Sequence, residues 1–277
     1  MALAVASDVE VVPVAVPADD LSGGMKLYLS EEVAEARYHV IGAEMQVVNL
    51  SLNTGESVEV SPGAMMHHGP NIYASPSCSC SCGRYCTGES NVKINFTNKG
   101  SDPETIGLTP VYPAKIIPVH LNELGAVIVR ATSYMCSVGQ VDIDVSFGAC
   151  CSLSCCLSSV GFVRQRLSGE GIAFLQAGGT VLEKTLAEGE SIAVDQDSVV
   201  GWQESVALGA QTFAGVCGCC SVCFGGEGCL LATFTGPGKI YITSMSFAKW
   251  HKTLAPNISE MQGRGKGAEG GEDGGGE

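Results

Sequence analysis

Residues 47–72, VVNLSLNTGESVEVSPGAMMHHGPNI, align without a gap on residues 181–206, VLEKTLAEGESIAVDQDSVVGWQESV, when Gly55-Glu56-Ser57 is set on Gly189-Glu190-Ser191. Apolar positions coincide at Val47 and Val181, Leu52 and Leu186, Val58 and Ile192, and Val60 and Val194. Both stretches alternate apolar and polar residues around a Gly-Glu turn, which is the period of a half-buried strand. A weaker copy lies midway: GAVIVRATSYMCSVGQV, from Gly125, overlays GESVEVSPGAMMHHGPNI with a slip of one residue. The chain therefore reads as three copies of about 70 residues.

The second halves of the copies agree as well. Phe96-Thr97-Asn98-Lys99-Gly100, Leu167-Ser168-Gly169-Glu170-Gly171 and Phe234-Thr235-Gly236-Pro237-Gly238 each read as strand, tight turn, strand. Between residues 37 and 250 short runs such as EMQVVNLSL, AVIVRA, QVDIDV, GIAFLQA and KIYITSM are punctuated by Gly, Pro or Asn, and no stretch of helical length has a 3.6-residue apolar period. The expected fold is all-β: three related subdomains (37–115, 116–180 and 181–250) in a pseudo-threefold arrangement, sandwich-like or prism-like. A flexible segment, 1–36, precedes them, within which SEEVAEA fits either a helical turn capped by Ser30 or a lead-in to the first strand. The acidic Gly-rich tail, 251–277, lacks the apolar surface to offset its ordering entropy and is expected to be disordered.

The composition removes several functions. With 45% apolar side chains the 277 residues can bury a sizeable core, and with 29 acidic against 15 basic residues and no basic run they lack the footprint of a nucleic-acid binder. The first 25 residues hold no Arg or Lys and are broken by Pro13 and Pro17, so they resemble neither a secretory signal nor a mitochondrial presequence. A cytoplasmic chain with reduced thiols is the expectation, and the sequons at Asn49, Asn95 and Asn257 then carry no weight.

Cysteine is the distinctive residue. Twelve of the fourteen fall into three groups of four: Cys78, Cys80, Cys82 and Cys86; Cys150, Cys151, Cys155 and Cys156; Cys217, Cys219, Cys220 and Cys223. Each group lies at the equivalent loop of its copy, ahead of the aromatic or leucine turn, so a pseudo-threefold fold brings the loops to one end of the molecule. Four thiolates can close a tetrahedral site for zinc or another soft metal, although the sulfurs are packed more densely than in paired zinc knuckles. The segments 71–83, 145–163 and 205–226 carry no charge, so S-acylation and a membrane surface fit as well. Buried cysteine also behaves as a small hydrophobe, and the loops can simply pack against one another.

Catalysis has less behind it. His67 and His68 precede the first cysteine loop and a Cys/His hydrolase pair is conceivable, but the second copy holds Gly201 and Trp202 there. His39, His120 and His251 have no acidic or cysteine companion at metal-ligand spacing. Glu56 and Glu190, each following a turn glycine, fit acceptors of backbone N–H groups better than general bases. Gly225-Gly226-Glu227-Gly228 precedes a strand and not a helix, which is wrong for a phosphate loop.

IGAEMQVVNLSL, SPGAMM, IGLTPVYPAKIIPV, GTVLEKTLAEGESIAVD, FGGEG and TGPGKIYITSM, spread over residues 41 to 247, resemble the altered inheritance of mitochondria protein twenty-four family, also called the mitochondrial biogenesis family. The resemblance implies a duplicated β fold grouped with the tryptophan RNA-binding attenuator protein. For fungal members it implies a role in mitochondrial inner-membrane organisation. It carries over no catalytic residues. Together the residues and the resemblance point to a non-enzymatic structural or scaffolding protein, with a protein partner or membrane surface facing the cysteines, no nucleic acid, and room for a homo-oligomer.

Overall fold

Gly55, Gly125 and Gly189 have φ of 78°, 73° and 75°, and a Cβ on any of them would meet nothing within 4 Å. Glycine is present there for the left-handed turn and not for space. This one turn, repeated at the same place in each copy, opens the second strand of every repeat. The computed structural model describes residues 24–28, 34–35, 37–78, 92–147, 163–212, 230–251 and 254.

Three strands lead in: β1 (Met25–Leu27), β2 (Ala34–Glu35) and β3 (Tyr38–Ile41). The first repeat follows as β4 (Val47–Leu52), β5 (Ser57–Val60), β6 (Met65–His68), β7 (Ile72–Cys78), β8 (Val92–Asn98) and β9 (Glu104–Leu108). The second is β10 (Lys115–His120), a helical turn α1 (Leu121–Leu124), β11 (Val127–Arg130), β12 (Tyr134–Val138), β13 (Val141–Phe147), β14 (Val163–Gly169) and the first half of β15 (Ile172–Leu186). The second half of β15 opens the third repeat, with β16 (Ser191–Val194), β17 (Val199–Gln203), β18 (Ala207–Thr212), β19 (Leu230–Thr235) and β20 (Gly238–Met245).

Pairing repeats with the strands. One three-stranded set runs β5-β8-β7 in the first repeat, β11-β14-β13 in the second and β16-β19-β18 in the third. The other runs β4-β9-β6, β10-β15-β12 and β15-β20-β17. A bulge recurs at one site in all three: between Met65 and His67, Tyr134 and Cys136, and Val199 and Gly201. The repeats are joined where the third strand of one pairs with the second strand of its predecessor, β12 with β5 and β17 with β11. The all-β architecture read from the sequence is the architecture of the chain.

The seams also carry the core. Tyr38, Leu50, Val58 and Ile106 of the first repeat bury with Met135, Cys136 and Phe174 of the second. Val127, Leu167 and Leu175 of the second bury with Val181, Val200 and Tyr241 of the third. Trp202, Phe234, Leu186 and Ile240 form a third cluster of third-repeat residues, against which Ile128 of the second packs. Each fully buried side chain of this size contributes on the order of 2 kcal/mol of transfer free energy.

Two expectations need correcting. Within the segment 1–36 read as flexible, β1 pairs with β15 (Leu27 with Leu182) and β2 pairs with β3, so SEEVAEA ends in a strand at Ala34–Glu35 and not in a helix. The repeat boundary placed between residues 180 and 181 falls inside β15, which runs unbroken from Ile172 to Leu186. Gly178 allows this passage: a Cβ there would lie 2.3 Å from the Met245 carbonyl oxygen. Of the tail 251–277, all but residues 251 and 254 lies outside the described residues; residues 247–251 form a helical turn.

Candidate functional site

The strands that carry the cysteine groups form one hairpin three times over. β7 pairs with β8 from Ile72 and Asn98 to Cys78 and Val92, β13 with β14 from Val141 and Gly169 to Phe147 and Val163, and β18 with β19 from Ala207 and Thr235 to Thr212 and Leu230. All three loops therefore connect equivalent strand ends. At the bases of the hairpins Phe96, Leu167 and Phe234 are buried, as the turn motif requires.

Cys78 closes β7; Cys80, Cys82, Cys86, Cys150, Cys151, Cys155, Cys156, Cys217, Cys219, Cys220 and Cys223 lie outside the described residues. Among the described residues no three His, Cys, Asp or Glu side chains gather as metal ligands. Cys136, outside the three groups, is fully buried, and desolvation pushes its thiol well above the ordinary range against a smaller pull from Lys93. It is a core residue and a poor nucleophile.

The paired glutamates do what a turn needs. Glu56 Oε2 accepts the Asn53 N–H at 3.0 Å, and Glu190 Oε2 accepts the Ala187 N–H at 2.9 Å. Each also meets a cation, Arg37 for Glu56 and Lys184 for Glu190. The hydroxyl pairs beside them repeat too: Ser57 with Thr97 and Ser191 with Thr235, both at 2.7 Å.

His67 and His68 lie exposed on β6. The His67 imidazole lies over Gly107, and His68 Nδ1 is 2.7 Å from the Gly69 carbonyl. His120 meets Tyr38 through the fold, the tyrosine hydroxyl lying 3.1 Å from Nε2. The two share a cavity of about 180 Å³ with Arg37, Ser51, Asn122 and Glu170 at the junction of the first two repeats. Its lining mixes cation, carboxylate and hydroxyl, which suits a small polar guest. No sequence signal marked it, because Tyr38 and His120 are 82 positions apart.

Lys93 is also buried. Its ammonium lies 4.0 Å from the Tyr134 ring centroid and donates to Ser61 Oγ at 3.3 Å, while Ser61 Oγ donates to the Tyr134 carbonyl at 3.2 Å. With its proton committed to a carbonyl and its lone pair to an ammonium, the Ser61 hydroxyl is oriented as a structural link and not as a nucleophile.

Residues 38–245 match the model of the mitochondrial biogenesis AIM24 family. The chain belongs to this family. The match begins at β3 and ends with β20, so all three repeats of this AIM24-family protein lie inside it. The crystal structure of protein SPYM3_0169 from Streptococcus pyogenes superimposes with a TM-score of 0.61 over 80% of this chain and 99% of that one, at 19% identity, and so shares the fold. No curated protein matches the chain. Among the described residues no helix is long and apolar enough to cross a membrane.

Proposed function

We propose that this AIM24-family protein is a non-enzymatic scaffold whose three cysteine-bearing hairpin ends make one face, and that the thiolates of this face hold a soft metal, zinc first, to give it a fixed shape for docking a protein partner. The observation that carries the reading is placement. Eleven of the twelve grouped cysteines fall in the connection between the fourth and fifth strands of their repeats, the same connection each time, and the twelfth, Cys78, closes the strand that enters it. Repeats joined through the same strands at both seams support bringing equivalent hairpin ends to the same side. A core thiol needs no such recurrence, and Cys136 on β12 shows what a packing cysteine looks like here.

Thiolates suit zinc because a borderline-soft cation gains more from sulfur than from the carboxylate oxygens of an ordinary acidic surface. The test is competition with a chromophoric zinc chelator under anaerobic conditions. The wild-type chain withdraws zinc from the chelator. The Cys150→Ser, Cys151→Ser, Cys155→Ser, Cys156→Ser variant withdraws less, and His67→Ala withdraws as much as wild type. A chain that leaves the chelator fully loaded refutes the metal, and hydroxylamine-sensitive membrane partitioning in its place assigns the cysteines to acylation.

A further inference from the structure

A threefold repeat joined by identical seams has three places for a seam, and this chain uses two. The continuous faces are β7-β8-β5-β12-β15-β10 and β13-β14-β11-β17-β20-β15. The third would run from β18-β19-β16 into β6-β9-β4, but these are separate sheets, one of three strands and one of five that continues through β3 to β2. Among the described residues β6 and β16 are each left as an edge.

The two edges are complements. β6 is the equivalent of β12 and β17, which pair with a preceding repeat; β16 is the equivalent of β5 and β11, which receive them. The existing seams set Val60 opposite Cys136 and Val129 opposite Gly201. By the repeat, the missing seam sets Val194 opposite His67, Ala193 opposite His68 and Ile192 opposite Gly69, antiparallel like the others.

What a seam covers is visible in its absence. Tyr134, Met135, Val199 and Val200 are all buried to 2% exposure or less, whereas their counterparts Met65 and Met66 are 41% and 53% exposed. Ser191 and Ala193 of β16 are exposed as well. The third core cluster, correspondingly, contains no residue of the first repeat.

Open sheet edges are normally blocked with charge or proline. β10 carries Pro118, β7 carries Pro76, and β13 carries Asp142 and Asp144. β6, reading MMHH, and β16, reading SIAV, have neither proline nor Lys, Arg, Asp or Glu. β18, reading ALGAQT, is also unblocked, but its counterparts β7 and β13 are edges too, so the repeat assigns it no partner.

We infer that β6 of one copy pairs with β16 of a second copy, and β16 of the first with β6 of the second. Two identical seams close such a pair on a twofold axis and leave neither β6 nor β16 open to grow a filament. A second copy is the occupant because it carries the matching edge, and within one chain the two edges belong to separate sheets with no hydrogen bonds between them among the described residues. The His67 ring, lying over Gly107, is turned along its own sheet.

Sedimentation of the full chain under reducing conditions tests this, because the register names which side chains face each other. The wild type is expected at twice the 28.6 kDa chain mass. His68→Glu with Ala193→Glu sets like charges opposite at both seams and is expected to give folded monomers whose unfolding midpoint no longer depends on protein concentration, since both positions are exposed. His68→Glu with Ala193→Lys restores the dimer. A monomeric wild type overturns the inference. A dimer indifferent to His68→Glu with Ala193→Glu also overturns it, by placing the contact elsewhere.

Discussion

Lys184 and Glu190 form an ion pair of 2.8 Å in which the lysine is the buried partner, its side chain 8% exposed against 39% for the carboxylate. The pair ties the first strand of the third repeat to its Gly-Glu turn. The hydrogen bond from Lys184, then the Ala187 N–H, hold the Glu190 carboxyl below the usual range. Hydrogen bonding from Arg166 does the same for Glu204. For Asp195 burial works the other way, but hydrogen bonds from Lys249 and the Asp197 N–H outweigh it. A carboxyl whose pKa is lowered by folding contributes stability above its unfolded value and loses it as pH falls through the folded value. The thermal midpoint should therefore be level near neutrality and drop below about pH 4, and Glu190→Gln should flatten that drop. Melting curves across a pH series check both; a midpoint unchanged down to about pH 2 contradicts the account.

The seam between the second and third repeats depends on Trp202. Its ring packs edge-on against Phe234 at 5.1 Å, the Arg164 guanidinium lies 5.6 Å from its centroid, and it is 1% exposed. Trp202→Ala leaves a cavity between two repeats and should cost about 3–5 kcal/mol in urea unfolding. A cost below about 1 kcal/mol would mean the repeats do not share a core there.

Two glycines separate a cheap clash from an expensive one. A Cβ on Gly107 would meet the His67 ring at 2.5 Å, and that ring is on an exposed strand and free to rotate away. A Cβ on Gly178 would meet the Met245 backbone oxygen at 2.3 Å, and backbone in a paired strand has nowhere to go. Gly107→Ala should cost under about 1 kcal/mol and Gly178→Ala more than about 2 kcal/mol, measured by chemical unfolding. Equal costs would argue that β15 can shift at its bulge.

Much of this was legible in the chain itself, for a local reason. Gly55 and Gly189 need a left-handed turn, Glu56 and Glu190 cap it, and Phe96, Leu167 and Phe234 face inward from the strand before a tight turn. Such signals live within a few residues of one another. The seams do not: Val60 meets Cys136 and Val129 meets Gly201 across whole repeats, and nothing in VEV or VIV says which distant strand will lie beside it. The repeat boundary set between residues 180 and 181 lies in one strand that the chain carries from one face to the next. The Tyr38–His120 pair and the Lys93–Ser61 link were hidden because their partners are far apart in sequence.

The central claim, that the cysteine-bearing face is a metal site on a non-enzymatic scaffold, is tested most directly by elemental analysis of the anaerobically purified chain together with a free-thiol count. The account predicts bound metal, zinc first, with fewer than fourteen reactive thiols, and loss of that metal when Cys150, Cys151, Cys155 and Cys156 are changed to Ser. Metal-free protein with every thiol reactive after denaturation would contradict it.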